Sequence, residues 1–286
     1  KVGKDGGLSY KTEWGKVKEE SPFSYKTSDE QEITIEYDVT DDILSFKADF
    51  DQVDEEIILD PIYLDWSSYF YGSGSASQTW SYTWVYDLDI DDEDNLYVAG
   101  LTNDNFPGTN NSYSSSPNGF YDAFVCKMSP KGDSIIWFSY LGGDNYEYCF
   151  TLGVNSDKEP VVAGFTRSTD FPITPNAYDE TGNIGSGFSW RYAGYVTKFS
   201  KNGDQLIFST YLGGSGSELI QSLVLDDAGD IYLTGQTNSA DYPTTVGSYQ
   251  TTYNGSSTTS WWNGGDAFLT KMKADGTDLI FSTFLG

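Results

Sequence analysis

Apolar and polar residues alternate in short runs along this chain, and one such run returns at a fixed spacing. Leu206-Ile-Phe-Ser-Thr-Tyr-Leu-Gly-Gly214 is its clearest copy. Similar copies occupy 135–143 and 279–286, and a degraded copy occupies 64–72. Their central aromatic residues are 71, 71 and 73 residues apart, at Tyr69, Tyr140, Tyr211 and Phe284. This period predicts an architecture in which each repeat is one supersecondary unit.

Each period divides into four strands joined by turns. The predicted strands are 85–90, 95–102, 122–128 and 135–141 in the first period, 151–154, 160–166, 194–199 and 206–212 in the second, and 222–225, 230–237, 266–272 and 279–285 in the third. The turns before the fourth strands contain Gly132, Gly203 or Gly276, where a tight hairpin needs positive φ. Each period is therefore a four-stranded antiparallel meander. Radial stacking of such units, which buries both their faces, predicts a β-propeller.

The first 61 residues lack this repeat. They contain runs of period two at 8–12, 32–37, 43–50 and 56–59, which indicate strands of an antiparallel sheet. Pro61 marks the boundary, because proline cannot donate to a central ladder. The sequence thus predicts an all-β protein with an N-terminal β-rich segment at 1–61 and β-propeller repeats at 62–286. Within the repeats we expect a leading strand at 62–71 and blade-sized units at about 72–143, 144–214 and 215–286.

Three blades are fewer than the four to eight with which propellers usually close. We therefore expect the 286 residues to be a segment of a longer protein. The remaining blades, or another chain, would then cover the open edges of the propeller. The strand at 66–71 would be the outer strand of a blade completed by distant sequence, or else a linker strand.

The composition excludes several classes of function. Lys plus Arg is 16 and Asp plus Glu is 43, which gives a net charge of −27. This charge repels nucleic acids and anionic membrane surfaces, so we expect no nucleic-acid partner. No apolar run is long enough for a membrane span, so we expect no membrane insertion. Histidine is absent, which removes the commonest general base and transition-metal ligand.

The only two cysteines are Cys126 and Cys149. Both lie in predicted strands among apolar neighbours. A disulfide between them would form outside the cell, and two buried free thiols are the alternative.

Several motifs together carry a resemblance to a known family. They are Tyr232-Leu-Thr-Gly235, Thr237-Asn-Ser-Ala-Asp-Tyr-Pro243, Asp266-Ala-Phe-Leu-Thr-Lys-Met272 and the 206–214 run. Over about residues 62–286 the chain resembles the bacterial SBBP β-propeller repeat. The N-terminal segment resembles the end of the uncharacterised β-rich domain that often precedes those repeats. The resemblance implies a large secreted or cell-surface protein, often of gliding bacteria with type IX secretion, and no defined enzymatic activity.

The loops between second and third strands are the longest, at about 103–121, 167–193 and 238–265. Together with the loops that connect successive blades, they form one face of a propeller, as expected for a binding surface on a rigid scaffold. Aromatic rings beside polar groups suit stacking on sugars or protein hot spots. The candidate binding residues are Trp80, Trp84, Phe120, Tyr121, Trp190, Tyr192, Trp261 and Trp262. The alternative is that these rings fill the gaps between blades.

An aromatic–proline pair recurs in every period, as Phe106-Pro107, Phe171-Pro172 and Tyr242-Pro243. A function specific to one site would not need three copies. We therefore expect these aromatic rings to pack and to hold the start of each loop.

The densest carboxylate cluster lies at the first turn of the first blade. Asp87, Asp89, Asp91 and Asp94 are its candidate metal ligands, because hard oxygen ligands that alternate through a loop suit Ca²⁺. Strand alternation would leave the first three free to meet solvent or a cation. The alternative is an acidic turn stabilised by Asx hydrogen bonds. No other cofactor is expected.

These observations favour a non-enzymatic, extracellular or cell-surface propeller segment for adhesion, display, or protein or glycan binding through its loops. One alternative is a carbohydrate-active enzyme that uses a carboxylate pair in the central funnel. No pair stands out among the 43 acidic residues. A third hypothesis is a structural spacer or a cargo of secretion machinery.

Overall fold

The computed structural model describes residues 82–106, 112–182, 184, 191–255 and 265–286, together with the backbone of six strands in the first sixty residues. The chain separates into two compact units, Lys1–Ser67 and Ser68–Gly286. The described elements are all strands, and none of the described residues belongs to a helix long and apolar enough to cross a membrane. The leading strand expected at 62–71 lies outside the described residues.

The described strands of the first unit form three antiparallel pairs. Its strands are β1 (Leu8–Thr12), β2 (Gly15–Glu19), β3 (Phe23–Lys26), β4 (Ile35–Thr40), β5 (Ile43–Ala48) and β6 (Ile57–Asp60). β1 pairs with β2, β3 with β6, and β4 with β5. The period-two runs correctly indicated β1, β5 and most of β6, and they placed β4 three residues too early. They missed β2 and β3, whose short runs carry few strongly apolar residues.

The described residues of the second unit form three four-stranded antiparallel sheets, each a simple meander. Blade 1 consists of β7 (Thr83–Ile90), β8 (Leu96–Thr102), β9 (Asp122–Met128) and β10 (Ile135–Leu141). Blade 2 consists of β11 (Glu147–Val154), β12 (Pro160–Thr166), β13 (Ala193–Phe199) and β14 (Leu206–Leu212). Blade 3 consists of β15 (Glu218–Leu225), β16 (Ile231–Thr237), β17 (Asp266–Met272) and β18 (Leu279–Leu285). The all-β fold of four-stranded propeller blades is therefore confirmed.

The blades stack face to face and share two apolar cores. We call the side of a blade that packs on the following blade its forward face, and the opposite side its rear face. Tyr97 and Val125 on the forward face of blade 1 pack in one core with Val162 on the rear face of blade 2. Val161 and Val196 join Leu233 of blade 3 in the next core, together with Phe268. All residues of β12 and β13 are buried, because blade 2 is covered on both faces.

The aromatic–proline motifs pack as predicted. Phe106, Phe171 and Tyr242 are each at most 5% exposed. Each ring lies on the rear face of its own blade. Phe106 stacks on Phe138 with ring centroids 4.5 Å apart, and Tyr242 stacks on Phe268 at 4.6 Å. Phe171 and Tyr242 therefore belong to the two apolar cores between the blades, and Phe106 packs in the core on the rear face of blade 1.

Cys126 and Cys149 are free thiols, each 0% exposed. They belong to different apolar cores, so the predicted alternative of buried free thiols is the one that the structure contains. Burial raises the pKa of both thiols, that of Cys149 to about 12.

We expect both cysteines to resist alkylation in the folded protein, because only the thiolate reacts and neither sulfur meets solvent. Intact-mass measurement after iodoacetamide treatment at pH 8 would show no adduct on the native protein and two adducts after denaturation. Rapid labelling of the native protein would contradict the burial of these side chains.

Candidate binding surface

The first strands of blades 1 and 2 each carry three aromatic residues at alternate positions. These are Tyr82, Trp84 and Tyr86 in and beside β7, and Tyr146, Tyr148 and Phe150 in and beside β11. The rings of each trio lie on one side of the strand, since ring centroids are 6.3 Å apart for Trp84 and Tyr86 and 5.7 Å apart for Tyr148 and Phe150. The corresponding positions in blade 3 are Ser217, Leu219 and Gln221, so the aromatic series does not continue there.

A β-bulge helps to turn these side chains outward. The register of β7 on β8 shifts between Val85 and Asp87, which leaves Tyr86 as the extra residue. The same shift occurs around Phe150 in β11. A bulge bends its strand and redirects the side chain of the extra residue. Tyr86 and Phe150 consequently meet edge to face, with ring centroids 5.1 Å apart.

The loop before β9 adds two more rings from blade 1. Tyr121 forms a parallel bridge with Tyr146 across the interface between the blades, and Phe120 stacks on Tyr146 at 5.1 Å with 13° between the planes. Tyr82 contacts both Trp84 and Tyr121 at 6.2 Å. We call the resulting surface the aromatic strip, and its members are Tyr82, Trp84, Tyr86, Phe120, Tyr121, Tyr146, Tyr148 and Phe150.

The aromatic strip is open to solvent at one end and supported at the other. Trp84 is 50% exposed and Phe120 is 56% exposed. Beneath the strip, Tyr148 stacks on the buried ring of Phe165 at 4.7 Å. The Arg167 guanidinium lies 5.5 Å from the Tyr146 ring centroid, close enough for a cation–π contact. A positive group thus supports one ring of the strip in a chain whose net charge is −27.

Three phenols of the strip, those of Tyr86, Tyr121 and Tyr148, stay neutral at physiological pH. Burial, together with neighbouring tyrosines, raises the pKa of Tyr86, Tyr121 and Tyr148 above its usual value. A neutral phenol both donates and accepts hydrogen bonds. The strip therefore combines apolar ring faces with hydroxyl groups that can bind polar ligand atoms.

Two buried carboxyl groups lie directly behind the strip. Asp122 follows Tyr121 and Glu147 follows Tyr146, so alternation points them inward while the rings point outward. Asp122 is 1% exposed and Glu147 is 0% exposed. A Cβ on Gly142 would lie 2.5 Å from Asp122 Oδ1 and 2.6 Å from Glu147 Oε2, so only glycine fits between them.

Hydrogen bonds satisfy Glu147 from several sides. Its Oε1 accepts from Thr166 Oγ1 at 2.6 Å and Ser168 Oγ at 2.5 Å, and its Oε2 accepts from Gly143 N at 3.1 Å. Burial nevertheless raises the pKa of Glu147 to about 7, and that of Asp122 to about 6. The pair therefore retains protons at a higher pH than exposed carboxyl groups do.

The same arrangement recurs in part at the next interface. Glu218 is 1% exposed and accepts from Thr237 Oγ1 at 3.0 Å and from Ser239 Oγ. Ala193 stands where blade 1 has Asp122, so Glu218 lacks the second carboxyl. In blade 1, Thr83 occupies the position of Glu218 and Asp104 occupies the position of Ser239. Thr83 Oγ1 donates a hydrogen bond to Asp104 Oδ2 at 3.1 Å. The recurrence indicates that these groups join strand ends and loops within the scaffold.

The family model of the β-propeller repeat SBBP matches residues 65–107 and 207–243. Each match begins in a copy of the repeated fourth-strand motif. It then covers the first two strands of the next blade and ends at the aromatic–proline pair of that blade. The chain carries SBBP β-propeller repeats. Residues 1–62 match a domain of unknown function, DUF7948. Both parts of the expected resemblance are therefore confirmed, and no curated protein matches the chain.

The structure brings together three of the eight aromatic residues predicted to bind a ligand. Trp84, Phe120 and Tyr121 all belong to the aromatic strip of the SBBP repeats. Tyr192 does not, because it is only 3% exposed and packs edge to face on Phe165 at 4.6 Å. For Tyr192 the alternative of a ring that fills the interior is the correct one. Trp80, Trp190, Trp261 and Trp262 lie outside the described residues.

Sequence reasoning missed most of the strip. Tyr82, Tyr86, Tyr146, Tyr148 and Phe150 were not predicted as binding residues. Their signal was an aromatic residue at every second position of two first strands. The prediction favoured loops instead, because variable length marks a binding face more visibly than strand composition does.

The predicted calcium ligands do not converge. Asp87 Oδ2 accepts from Leu152 N at 2.9 Å and Asp89 Oδ2 accepts from Val154 N at 2.8 Å, so both carboxylates bond to the backbone of blade 2. The expectation that they would be free for solvent or a cation was wrong. The reason is that β11 of the adjacent blade presents unpaired N–H groups to them.

The other two residues of that cluster have separate roles. Asp91 is buried and accepts from Lys127 Nζ at 2.9 Å. Burial opposes its ionisation, but hydrogen bonds from Asn95 and Lys127 outweigh this effect and lower the pKa of Asp91. Asp94 is an exposed turn residue with φ of 60°. Among the described residues no three His, Cys, Asp or Glu side chains are grouped to hold a metal ion.

Proposed function

We propose that this SBBP repeat protein is a non-enzymatic binding module that recognises glycans through the aromatic strip. The observation that carries the proposal is that two exposed rings, Trp84 and Phe120, belong to one continuous series of ring contacts. Sugars bind proteins by laying their apolar C–H faces on such rings while hydroxyl groups accept and donate hydrogen bonds around them. In this proposal the module acts in adhesion or display at the cell surface.

The rigidity of the strip supports this assignment. Four of its rings, Trp84, Tyr86, Tyr148 and Phe150, lie in strands β7 and β11. A site on strands is held more precisely than one on loops, and the buried Phe165 ring supports Tyr148. A ligand would therefore meet rings that are already ordered and would lose little binding free energy to their immobilisation. The extracellular or cell-surface location is part of the same proposal, since polysaccharides and glycoproteins are abundant there.

The alternative of a carbohydrate-active enzyme has less support. Such an enzyme needs two carboxyl groups that reach the glycosidic bond. Asp122 and Glu147 form the carboxyl pair directly behind the strip, and they are 1% and 0% exposed. A substrate on the strip would be separated from them by the rings of Tyr121 and Tyr146.

We expect Trp84→Ala and Phe120→Ala each to weaken glycan binding about tenfold, because one ring stacked on a ligand contributes roughly 1 kcal/mol beyond its buried area. A glycan array with the full chain would identify the ligand, and calorimetry would measure the change in Kd. Tyr249→Ala is the matched control, since this aromatic ring is 86% exposed and lies outside the strip.

Equal affinities of the parent and both strip variants would rule out the strip as the site. If the protein released reducing sugar from a bound glycan and Glu147→Gln abolished that release, the protein would be a carbohydrate-active enzyme and not a binding module. Binding to protein partners alone, with the same loss in both variants, would assign the strip to protein recognition.

A further inference from the structure

Each interface between blades is held by a hydrogen bond from a first strand to a side chain of the preceding blade. Leu152 N donates to Asp87 Oδ2 at 2.9 Å, and at the next interface Leu223 N donates to Thr151 Oγ1 at 3.0 Å. Asp87 and Thr151 occupy the same position in their repeats. The third residue at this position is Ser222, which is exposed and faces no described blade.

A second contact joins a loop tyrosine to the turn before the fourth strand of the next blade. Tyr113 N donates to Gly203 O at 2.8 Å, and Tyr178 N donates to Gly276 O at 2.9 Å. The equivalent residue of blade 3 is Tyr249, which is 86% exposed. The loop of blade 3 thus carries the equivalent tyrosine, but the described residues include no turn of a following blade for its backbone N–H to contact.

The turn before the fourth strand also needs glycine because an aromatic ring of the preceding blade packs directly against it. Gly203 and Gly276 have φ of 69° and 71°, a region that favours glycine. A side chain on Gly203 would overlap the Trp137 ring, and one on Gly276 would overlap the Phe208 ring. The third ring at this position is Phe281 of blade 3. It is partly exposed where Trp137 and Phe208 are buried.

Apolar burial shows the same difference. Leu141 and Leu212 end the fourth strands of blades 1 and 2 and are 0% exposed, whereas Leu285 of blade 3 is 43% exposed. Val224 on β15 is 65% exposed. The forward face of blade 3 therefore presents the apolar and polar groups that hold the other two interfaces together.

We propose that the forward face of blade 3 is a docking site for a further SBBP blade. The occupant must offer a backbone N–H in its first strand to Ser222 and a glycine with positive φ in its last turn to Phe281 and Tyr249. A second copy of the chain is a poorer fit. The rear faces of blades 2 and 3 are already covered, and on the rear face of blade 1 Phe124, Cys126 and Phe138 are each 0% exposed.

The test extends the full chain at Gly286 with a tandem copy of residues 215–286. That segment already folds against the forward face of blade 2, so its copy has the rear face that blade 3 should accept. We expect hydrogen exchange at the Tyr249 amide to slow at least tenfold in the extended protein, because this N–H gains the turn carbonyl as partner.

The matched control is the same extension with Gly276→Val in the appended copy alone. The valine side chain would overlap Phe281, so exchange at Tyr249 should return to the rate of the unextended chain. Light scattering on all three proteins would establish that each is a monomer.

Three results would overturn the proposal. They are an unchanged Tyr249 exchange rate in the extended chain, an appended copy that stays unfolded, and an unextended chain that dimerises with Tyr249 already protected. The last result would assign the face to a second copy instead. None of these outcomes involves the aromatic strip, so this experiment tests the docking site independently of the proposed glycan binding.

Discussion

Gly164→Ala is expected to unfold blade 2. Gly164 pairs with Cys149 beside the bulge at Phe150. A Cβ at this position would overlap the carbonyl oxygen of Tyr148, which belongs to the backbone and has no rotamer by which to move away. We expect a loss of more than about 4 kcal/mol in the free energy of unfolding, in the range typical of severe backbone or core disruption.

Thermal denaturation followed by circular dichroism would measure this effect. A loss of that size should lower Tm by about 10 °C or more for a unit of this length. Gly247→Ala is the control, because Gly247 has φ of 83° but no atom within 4 Å of its added Cβ. That substitution should cost about 1 kcal/mol through backbone strain alone. Similar Tm values for the two variants would show that the close approach at the bulge is unimportant.

The other large effect concerns the pH dependence of stability. Burial raises the pKa of Glu218 from 4.5 to about 7. The folded state therefore binds this proton more tightly than the unfolded state does. The resulting stabilisation is complete below pH 4.5 and is lost as the pH rises to about 7. A shift of this size corresponds to about 3 kcal/mol.

Glu218→Gln should remove this dependence, because the amide stays neutral and keeps an oxygen that accepts from Thr237 and Ser239. Chemical denaturation from pH 4 to pH 8 would give the free energy of unfolding of both proteins. We expect similar values at the acid end and a variant that is more stable than the parent by about 3 kcal/mol at pH 8. Parallel curves would contradict a protonated Glu218 in the folded protein.

Glu147→Gln extends the comparison to the interface with two carboxyl groups. It should reduce the pH dependence of the free energy of unfolding over the same interval. Asp122→Asn should alter the titration of Glu147 without affecting that of Glu218. Asp144→Asn is the control for a lost surface charge, since Asp144 is exposed. This variant separates the effect of a changed net charge from the effect of removing a buried carboxyl group.

The strand order and most strand bounds followed from sequence alone. The outer strands at 135–141, 206–212 and 279–285 occur where their repeated motif predicted them. The first strands did not: β11 was expected at 151–154 and begins at Glu147. The bulge at Phe150 breaks the period-two alternation, and a buried glutamate at the strand start does not resemble a core residue.

The candidate site was harder to predict for a related reason. Trp84 and Phe120 were predicted as candidate binding residues, but the assembly of the aromatic strip depends on Tyr121 and Tyr146 meeting across two blades. The error over Asp87 and Asp89 has the same origin. Their partners Leu152 and Val154 are both 65 residues away in sequence.

The amino-acid sequence by itself determined the repeat, the meander within each blade and the positions of the turn glycines. Those features depend on neighbouring strands and on local backbone sterics, which leave a short-range pattern. Only the tertiary structure decided which rings reach solvent, which carboxyl groups share an interface and which face of blade 3 lacks a partner. These properties join residues from different blades, whose contacts leave no periodic trace in either segment.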